Sequence, residues 1–206
     1  MQSKIQPIFS TPIYQSSLQR DFTDEELNFF KTNKKMTKTN LNGLTTSEDT
    51  YILNHAAMSN LKKNIYEFLL DYYEKIICTD DKVSPYITQS WLNWQEYNQG
   101  HHDHSHPNSF ISGVLYINCF EDKDSIKFTK EGYEFFKFFN FKSFNIYNSS
   151  TWTMPVKSGV IILFPSYLMH NVDKNKFQHT RTSLAFNSYI RGTIGSYKHN
   201  YELSLI

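Results

Sequence analysis

The sequence of 206 residues contains two cysteines, Cys78 and Cys119, and neither lies in a Cys-x-x-Cys motif. Two cysteines cannot supply the disulfide framework of a small secreted domain, so we predict that both are buried thiols. The longest strongly apolar run, residues 160–164, is far shorter than the roughly 20 residues of a membrane-spanning helix. The first residues lack the apolar core of a signal peptide. These absences predict a soluble, cytoplasmic protein.

An excess of charge of either sign is also missing. Lysine and arginine total 21 against 20 acidic residues, which gives a formal net charge of +1. A near-neutral chain offers no electrostatic footprint for nucleic acid or for an anionic membrane surface, so neither partner is indicated. Hydrophobic residues make up 39% of the chain, enough to exclude intrinsic disorder. We therefore expect one globular domain.

Arginine is scarce, while histidine is concentrated in one place. Only Arg20, Arg181 and Arg191 are arginines among the 21 basic residues. Four of the eight histidines fall within residues 101–106. Both features point to the second half of the chain.

The chain divides into three parts by pattern. Residues 1–84 are predicted to be a lead-in with helical support, residues 85–191 the core, and residues 192–206 a C-terminal tail. Within the first part, Thr23 precedes three acidic residues and predicts a capped start to a short helix. Apolar residues at three- and four-residue steps predict a long helix over residues 56–77.

After Pro85 the pattern changes to short apolar or alternating segments separated by Gly, Pro, Asn and Ser. Such a series predicts an antiparallel β-sandwich or barrel. The predicted strands cover residues 87–97, 110–118, 125–129, 152–156, 159–165 and 182–190.

Six phenylalanines lie among Lys, Asn and Tyr within residues 131–150. The segment fits a core hairpin, an aromatic lid or an oligomer contact, and the sequence does not separate these. Assembly into a homo-oligomer is therefore one of the interpretations that the sequence allows.

The histidine cluster predicts a metal site. In an extended strand alternate residues share a face, so His102, His104 and His106 are expected on one face, with His101 and Asp103 on the other. Two imidazoles two residues apart chelate Fe, Zn, Cu or Ni when a third ligand arrives from another strand. His170, in the sequence FPSYLMHNV, is the candidate. The alternative is a polar surface loop that binds metals adventitiously.

Arg181 comes eleven residues after His170, and Ser183 shares its face if the segment is a strand. A planar guanidinium and a hydroxyl on one face could clamp a carboxylate. The alternative is an ordinary surface arginine.

The histidines and the arginine lie in three sequence blocks, HSHPNSFISGVLYIN, GVIILFPSYLMHNV and RTSLAFN, which begin at His104, Gly159 and Arg181. In this order and spacing they resemble a family of 2-oxoglutarate- and Fe(II)-dependent oxygenases found in bacteria and phages. Trp91, Asn93 and the early segments PIFSTPIY and LTTSEDTYIL also resemble that family. If the gene belongs to a phage, the expected location is the host cytoplasm.

The resemblance implies a mainly β fold, the double-stranded β-helix or cupin-like jelly-roll barrel, with flanking N-terminal helices. It implies an oxidoreductase, a 2-oxoglutarate-dependent dioxygenase, with Fe(II) and 2-oxoglutarate as cofactors. Fe(II) is expected at His104, His106 and His170. 2-Oxoglutarate is expected at Arg181, Ser183 and Tyr116, although a tyrosine in such a strand is equally compatible with a place in the core. The substrate, expected to be hydroxylated, is not indicated.

One feature departs from the usual metal triad of two histidines and a carboxylate, because His106 stands where the carboxylate is expected. A literal His-x-Asp exists at His101 and Asp103, and a third register pairs His102 with His104; both break the alignment with the PNSFISGVLY block. Two other functions stay open. One is a three-histidine cupin-type metalloprotein or dioxygenase that does not use 2-oxoglutarate, and the other is a non-catalytic oligomeric binding module.

Overall fold

The six predicted strands and both predicted helices are present in the computed structural model, together with further short strands. The structure describes residues 2–34, 37–39, 43–130, 132 and 139–205. In chain order the elements are β1 (Tyr14–Ser17), α1 (Asp24–Asn33), β2 (Thr37–Thr39), β3 (Thr45–Ser47), α2 (Ser59–Tyr72), β4 (Lys82–Gln95), β5 (His101–His104), β6 (Ile111–Asn118), β7 (Ser125–Thr129), β8 (Thr151–Pro155), β9 (Val160–Pro165), β10 (Met169–Val172), β11 (Arg181–Ile194) and β12 (Leu203–Leu205). Short 3₁₀ turns lie at Ile52–Asn54, Ala56–Met58 and Tyr197–His199.

Two antiparallel sheets form the core of the described chain. The large sheet has the strand order β1-β9-β6-β11-β4-β3-β2, with β12 paired to β11, and the small sheet has the order β5-β10-β7-β8. From β4 to β11 the chain passes repeatedly between the two sheets, so sequence neighbours such as β4, β5 and β6 alternate between them. This is the double-stranded β-helix, and the predicted fold is confirmed.

The large sheet is covered on both faces. Successive residues of a strand point to opposite sides, so β6 directs Leu115 and Ile117 into the core beneath α2 and directs Val114 and Tyr116 into the barrel. Every residue of β9 is buried for the same reason. Strands buried on both faces read as continuous apolar runs, which is why this segment showed no alternation in the sequence.

The helices pack against the outer face of the large sheet. In α2 the residues Leu61, Ile65 and Leu69 recur at helical spacing and are fully buried against it. The predicted helix over residues 56–77 is therefore found, as a 3₁₀ turn, α2 and a π-helical turn at Tyr73–Ile77. No helix in the described ranges is long and apolar enough to cross a membrane.

The short helix α1 begins where the sequence predicted. The Thr23 hydroxyl accepts a hydrogen bond from the Glu26 amide, and the Glu26 carboxylate accepts one from the Thr23 amide, which completes a capping box. Arg20 also pairs with the buried Glu26 carboxylate at 2.7 Å.

The phenylalanine-rich segment predicted as a hairpin, lid or contact lies partly outside the described residues, because residues 131 and 133–138 are not among them. Phe139 and Phe144 are described, and both are exposed. Phe141 and Phe144 contact each other, with ring centroids 5.4 Å apart.

Gly113 leaves room for its neighbours across the large sheet. A Cβ atom at this position would lie 2.2 Å from Phe186 Cζ and 2.6 Å from Leu163 Cδ2, two residues of the packed core beneath α2. Gly113→Ala is therefore expected to destabilise the fold by about 1–3 kcal/mol, the usual cost of overpacking a core. Urea unfolding would measure the loss as a lower transition midpoint. A midpoint equal to that of the wild type would show that this core yields to an added methyl group.

Candidate metal centre and anion pocket

Three predicted histidines meet inside the barrel. His104 ends β5, His106 follows two residues later, and His170 lies on β10 directly opposite His104. One ring nitrogen from each lies within 4.8 Å of the others. His106 and His170 are buried, and His104 is partly buried. Within the described chain this group contains three imidazoles and no carboxylate.

Each of the three rings is oriented by a hydrogen bond at Nδ1. Nδ1 of His104 lies 2.8 Å from the His102 carbonyl oxygen, and Nδ1 of His170 lies 2.9 Å from the Leu168 carbonyl oxygen. A carbonyl oxygen only accepts, so each Nδ1 carries the proton and donates it. The lone pair of each ring is then on Nε2, which is the arrangement that a histidine metal ligand requires.

Burial keeps these imidazoles neutral. It lowers the pKa of His106 to about 4 and the pKa of His170 to about 3, and it also lowers the pKa of His104. Metal ligation needs the unprotonated nitrogen. All three rings are therefore in the state that binds a cation at neutral pH.

The sequence predicted that His101 faces away from His104, and this prediction is wrong. His104 pairs with His170 and His101 pairs with Val172, so four residues of β5 oppose three of β10. This β-bulge turns His101 to the same side as His104, and their ring centroids are 4.0 Å apart. His101 consequently lines the pocket, and burial lowers its pKa to about 2. A prediction that assumes strict alternation of side chains along a strand cannot detect a β-bulge.

The alternative metal registers find no geometric support in the described residues. The Asp103 carboxylate is turned outward, where it accepts a hydrogen bond from Asn171 Nδ2 at 2.6 Å. His102 does not belong to the three-histidine group and does not line the pocket. The register of His104 and His106 is the one that places ligand atoms together.

Sequence reasoning missed a polar network that holds His106. Its Nδ1 lies 2.5 Å from Asn187 Oδ1 and 2.9 Å from Ser112 Oγ, and the Ser112 hydroxyl lies 2.8 Å from Ser166 Oγ. Asn187 is on β11, at a two-residue spacing from Arg181, Ser183 and Ala185. That spacing, counted from Arg181, is the signal that could have found it.

Removing the Asn187 side chain tests whether this network positions His106. Asn187→Ala deletes one acceptor for the Nδ1 proton, so we expect metal affinity to fall by about 10- to 100-fold, as is typical for partners of metal-bound histidines. Asn187→Asp keeps an acceptor and should retain most of the affinity. Anaerobic titration with Fe(II) measures both. Equal affinities in the wild type and Asn187→Ala would show that Ser112 alone suffices to orient the ring.

A second group of predicted residues lies beside the histidines. Arg181, Ser183 and Tyr116 line the same pocket as the three histidines, with Asn93 and Gln95. Arg181 and Ser183 lie on β11, and Tyr116 is opposite Ser183 on β6. Sequence reasoning did not assign roles to Asn93 or Gln95.

Arg181 is a buried cation with few hydrogen-bonding partners in the described chain. Arg181 is 5% exposed and donates one hydrogen bond, at 3.2 Å, to Gln95 Oε1. Its guanidinium carbon lies 5.2 Å from the centre of the Tyr116 ring. Arg181 forms no ion pair within the described chain, and its Nε has no hydrogen-bond partner.

Tyr116 is equally unsatisfied. Its buried hydroxyl has no hydrogen-bond partner among the described residues, and burial raises the pKa of Tyr116, so the hydroxyl stays protonated and able to donate. Unpaired buried donors cost free energy unless a ligand satisfies them. A carboxylate would satisfy both the guanidinium and the phenol.

The two groups together fit Fe(II) and 2-oxoglutarate. Neutral Nε2 atoms suit a divalent transition metal. The unpaired donors of Arg181 and Tyr116 suit a carboxylate of a dianion such as 2-oxoglutarate. The chemistry of the donors therefore agrees with what the sequence resemblance implies.

Comparison with known proteins agrees with the geometry. Residues 89–187 match the model of the family described as "Putative 2OG-Fe(II) oxygenase". This range contains all six predicted site residues. No curated protein matches the chain in sequence.

Solved structures with the same fold are distant in sequence. A 2OG-Fe(II) oxygenase family oxidoreductase from Burkholderia pseudomallei superposes with a TM-score of 0.55 at 12% identity, covering 84% of each chain. A prolyl-4-hydroxylase from Pseudomonas putida gives 0.57 at 11% identity, over 87% of this chain and 94% of that one. HygX from Streptomyces hygroscopicus, solved with nickel, 2-oxoglutarate and hygromycin B, gives 0.56 at 12% identity, over 86% and 82%.

These structures establish the likeness of fold, and the family model rests on the strands that carry the site. Its match begins in β4 and ends at Asn187 in β11. Residues 89–187 of the chain therefore match the 2-oxoglutarate- and Fe(II)-dependent oxygenases, a family of oxidoreductases.

Proposed function

We propose that this protein hydroxylates its substrate with Fe(II) held by His104, His106 and His170. In this proposal Arg181, Ser183 and Tyr116 would hold the carboxylate of 2-oxoglutarate that lies away from the metal. One observation carries the proposal: the buried Arg181, without an anionic partner in the described chain, lines the same pocket as three neutral imidazoles. HygX, which has a similar fold, was solved with both nickel and 2-oxoglutarate.

When bound, Fe(II) and 2-oxoglutarate would supply the oxidising chemistry, in which substrate R–H, O₂ and 2-oxoglutarate give R–OH, succinate and CO₂. The protein itself supplies orientation and a dry environment. The Nδ1 hydrogen bonds of His104, His106 and His170 fix the rings. Arg181 fixes the orientation of the dianion through its planar fork.

The third histidine changes the charge of the site. A carboxylate in place of His106 would cancel one positive charge of the metal, whereas a neutral imidazole leaves it. The extra positive charge favours binding of the dianionic 2-oxoglutarate and alters the redox behaviour of the metal. The Arg181 cation adds to the same effect.

Anaerobic addition of Fe(II) and 2-oxoglutarate tests the proposed function. We expect a visible metal-to-ligand charge-transfer band that saturates with one 2-oxoglutarate per protein. On admission of O₂ the band should decay, with formation of succinate. Iron bound at one equivalent without the band would contradict the proposal.

That contrary outcome would favour a second candidate function. A three-histidine site with no carboxylate in the described chain is also the ligand set of cupin-type metalloproteins and dioxygenases that act without 2-oxoglutarate. Arg181 would then bind a carboxylate of the substrate. Cys119 is buried as predicted, whereas the prediction for Cys78 is wrong, because this residue is exposed. For either function we propose a cytoplasmic location, because the two thiols are not joined in a disulfide.

A further inference from the structure

A groove of about 630 Å³ lies between the extended N-terminal segment, residues 6–13, and strand β8. We call it the β8 groove. Its apolar walls include Ile8, Phe9, Phe128, Tyr147, Trp152 and Leu168. Its volume falls within the range of about 300–1,000 Å³ that is typical of small-molecule sites.

The floor of the β8 groove reaches the candidate metal centre. On the small sheet, Trp152 lies opposite Phe128, Phe128 opposite His170, and His170 opposite His104. Directly opposed residues of antiparallel strands share a face, so these four side chains form one row. The ring centroids of Phe128 and His170 are 6.2 Å apart. Leu168, which also lines the groove, provides the carbonyl that orients His170.

The groove approaches the centre from the side away from Arg181. Along β10 and the turn before it, Leu168 lines the groove, His170 belongs to the centre, and Val172 lines the Arg181 pocket. The same order holds on β7, where Phe128 lines the groove and Ile126 the Arg181 pocket. The two cavities share no lining residue among those described. A molecule in the groove and an anion at Arg181 can therefore flank the centre together.

The apolar side chains of the groove wall are large, and several of them are exposed. Phe9 is 93% exposed, Ile8 73% and Trp152 46%. Large apolar side chains gathered at a concave surface mark a ligand or interaction site, because leaving them in water is unfavourable.

The polar groups of the wall are almost all uncharged. They are hydroxyls and one amide, from Gln6, Ser10, Thr11, Thr129, Tyr147, Ser149, Ser150 and Thr151. Among the described lining residues Lys130 is the one charged side chain, and it already takes part in another interaction. A cationic ligand would lose its hydration without gaining a partner of opposite charge, and an anionic ligand would meet Lys130 alone, which is already engaged.

We propose that the β8 groove binds the substrate, and that the substrate is an uncharged, largely apolar small molecule with a planar ring system. The rings of Trp152 and Phe9 would contact its faces, and the hydroxyls would receive its oxygen substituents. The identification of this ligand as the substrate rests on the proposed function. Binding of such a molecule to the groove does not depend on iron or 2-oxoglutarate.

The test uses 2-naphthol, a neutral bicyclic probe, with iron-free protein and equilibrium dialysis. We expect saturable binding of one equivalent. Trp152→Ala and Phe9→Ala should each weaken it by about tenfold, since each removes an aromatic contact and its buried area. Tyr197→Ala is the matched control, because Tyr197 is an exposed aromatic residue, 82% exposed, that does not line the groove. Circular dichroism checks that each variant is folded.

Charged analogues of 2-naphthol test the proposal that the substrate is uncharged. The cationic 2-naphthylmethylamine is expected to bind at least tenfold more weakly than 2-naphthol. The anionic 2-naphthoate should be equally weak when measured in Arg181→Gln, where the other pocket cannot hold its carboxylate. Equal binding of neutral and charged probes would overturn the predicted substrate class. Binding unaffected by Trp152→Ala and Phe9→Ala would overturn the assignment of the groove.

Proximity to the metal centre has its own readout. Co(II) bound to the three histidines should broaden the proton resonances of bound 2-naphthol, because the groove floor contacts His170. Absence of broadening with Co(II) bound would overturn the assignment of the groove to the substrate. If Co(II) and Fe(II) fail to bind, the proposed function fails, while the dialysis result still decides whether the groove takes uncharged aromatic molecules.

Discussion

His170→Ala is expected to abolish stoichiometric Fe(II) binding. The substitution removes one of three ligand atoms that lie within 4.8 Å of one another, and no carboxylate of the described chain joins the group to replace it. The loss should exceed the roughly 10- to 100-fold that follows removal of an outer hydrogen-bond partner such as Asn187. Anaerobic equilibrium dialysis against Fe(II), with iron measured by atomic absorption, gives the stoichiometry. His104→Ala and His106→Ala should behave in the same way.

The neighbouring residues provide matched controls for this experiment. His102→Ala retains the backbone carbonyl that orients His104, and Asp103→Asn removes a carboxylate that faces outward. Both variants should bind iron as the wild type does. His101→Ala should also retain iron, since His101 lines the pocket but is not part of the three-histidine group. Iron retained by His106→Ala but lost in Asp103→Asn would instead identify the His101 and Asp103 register.

Arg181→Lys is expected to weaken 2-oxoglutarate binding while leaving iron binding intact. Lysine keeps the positive charge but loses the planar fork that pairs with both oxygens of a carboxylate. Loss of a hydrogen bond to a charged group costs about 1.5–3 kcal/mol, which corresponds to about a 10- to 150-fold weaker affinity. Arg181→Gln, which also removes the charge, should be weaker still. Titration of the charge-transfer band with 2-oxoglutarate under anaerobic conditions measures each affinity.

Arg191→Lys is the matched control, because Arg191 lies on the same strand, β11, outside the pocket. It should leave the affinity for 2-oxoglutarate unchanged. If Arg181→Lys bound both iron and 2-oxoglutarate with wild-type affinity, the carboxylate clamp would be wrongly assigned. The pocket would then have to satisfy its unpaired donors with another ligand.

Most of the fold could be predicted from the sequence, because local patterns carry it. The helical spacing of Leu61, Ile65 and Leu69 follows from one buried face. Thr23 and Glu26 are close in sequence, and their capping box needs only local geometry. The strands after Pro85 followed from short apolar segments bounded by turn residues, and their ends differ from the predicted ones by a few residues, as at β4 and β11.

Sequence alone was enough to select the candidate site residues: a histidine cluster, a later histidine and a rare arginine. The proximity of these side chains depends on the tertiary structure, because Arg181 and His104 lie far apart in the chain and on different sheets. The β-bulge that turns His101 inward arises from the pairing of β5 with β10. The Asn187 contact with His106 and the groove between the N-terminal segment and β8 likewise depend on which strands become neighbours. Local pattern cannot encode such contacts, because they are set by register and by the packing of one sheet against the other.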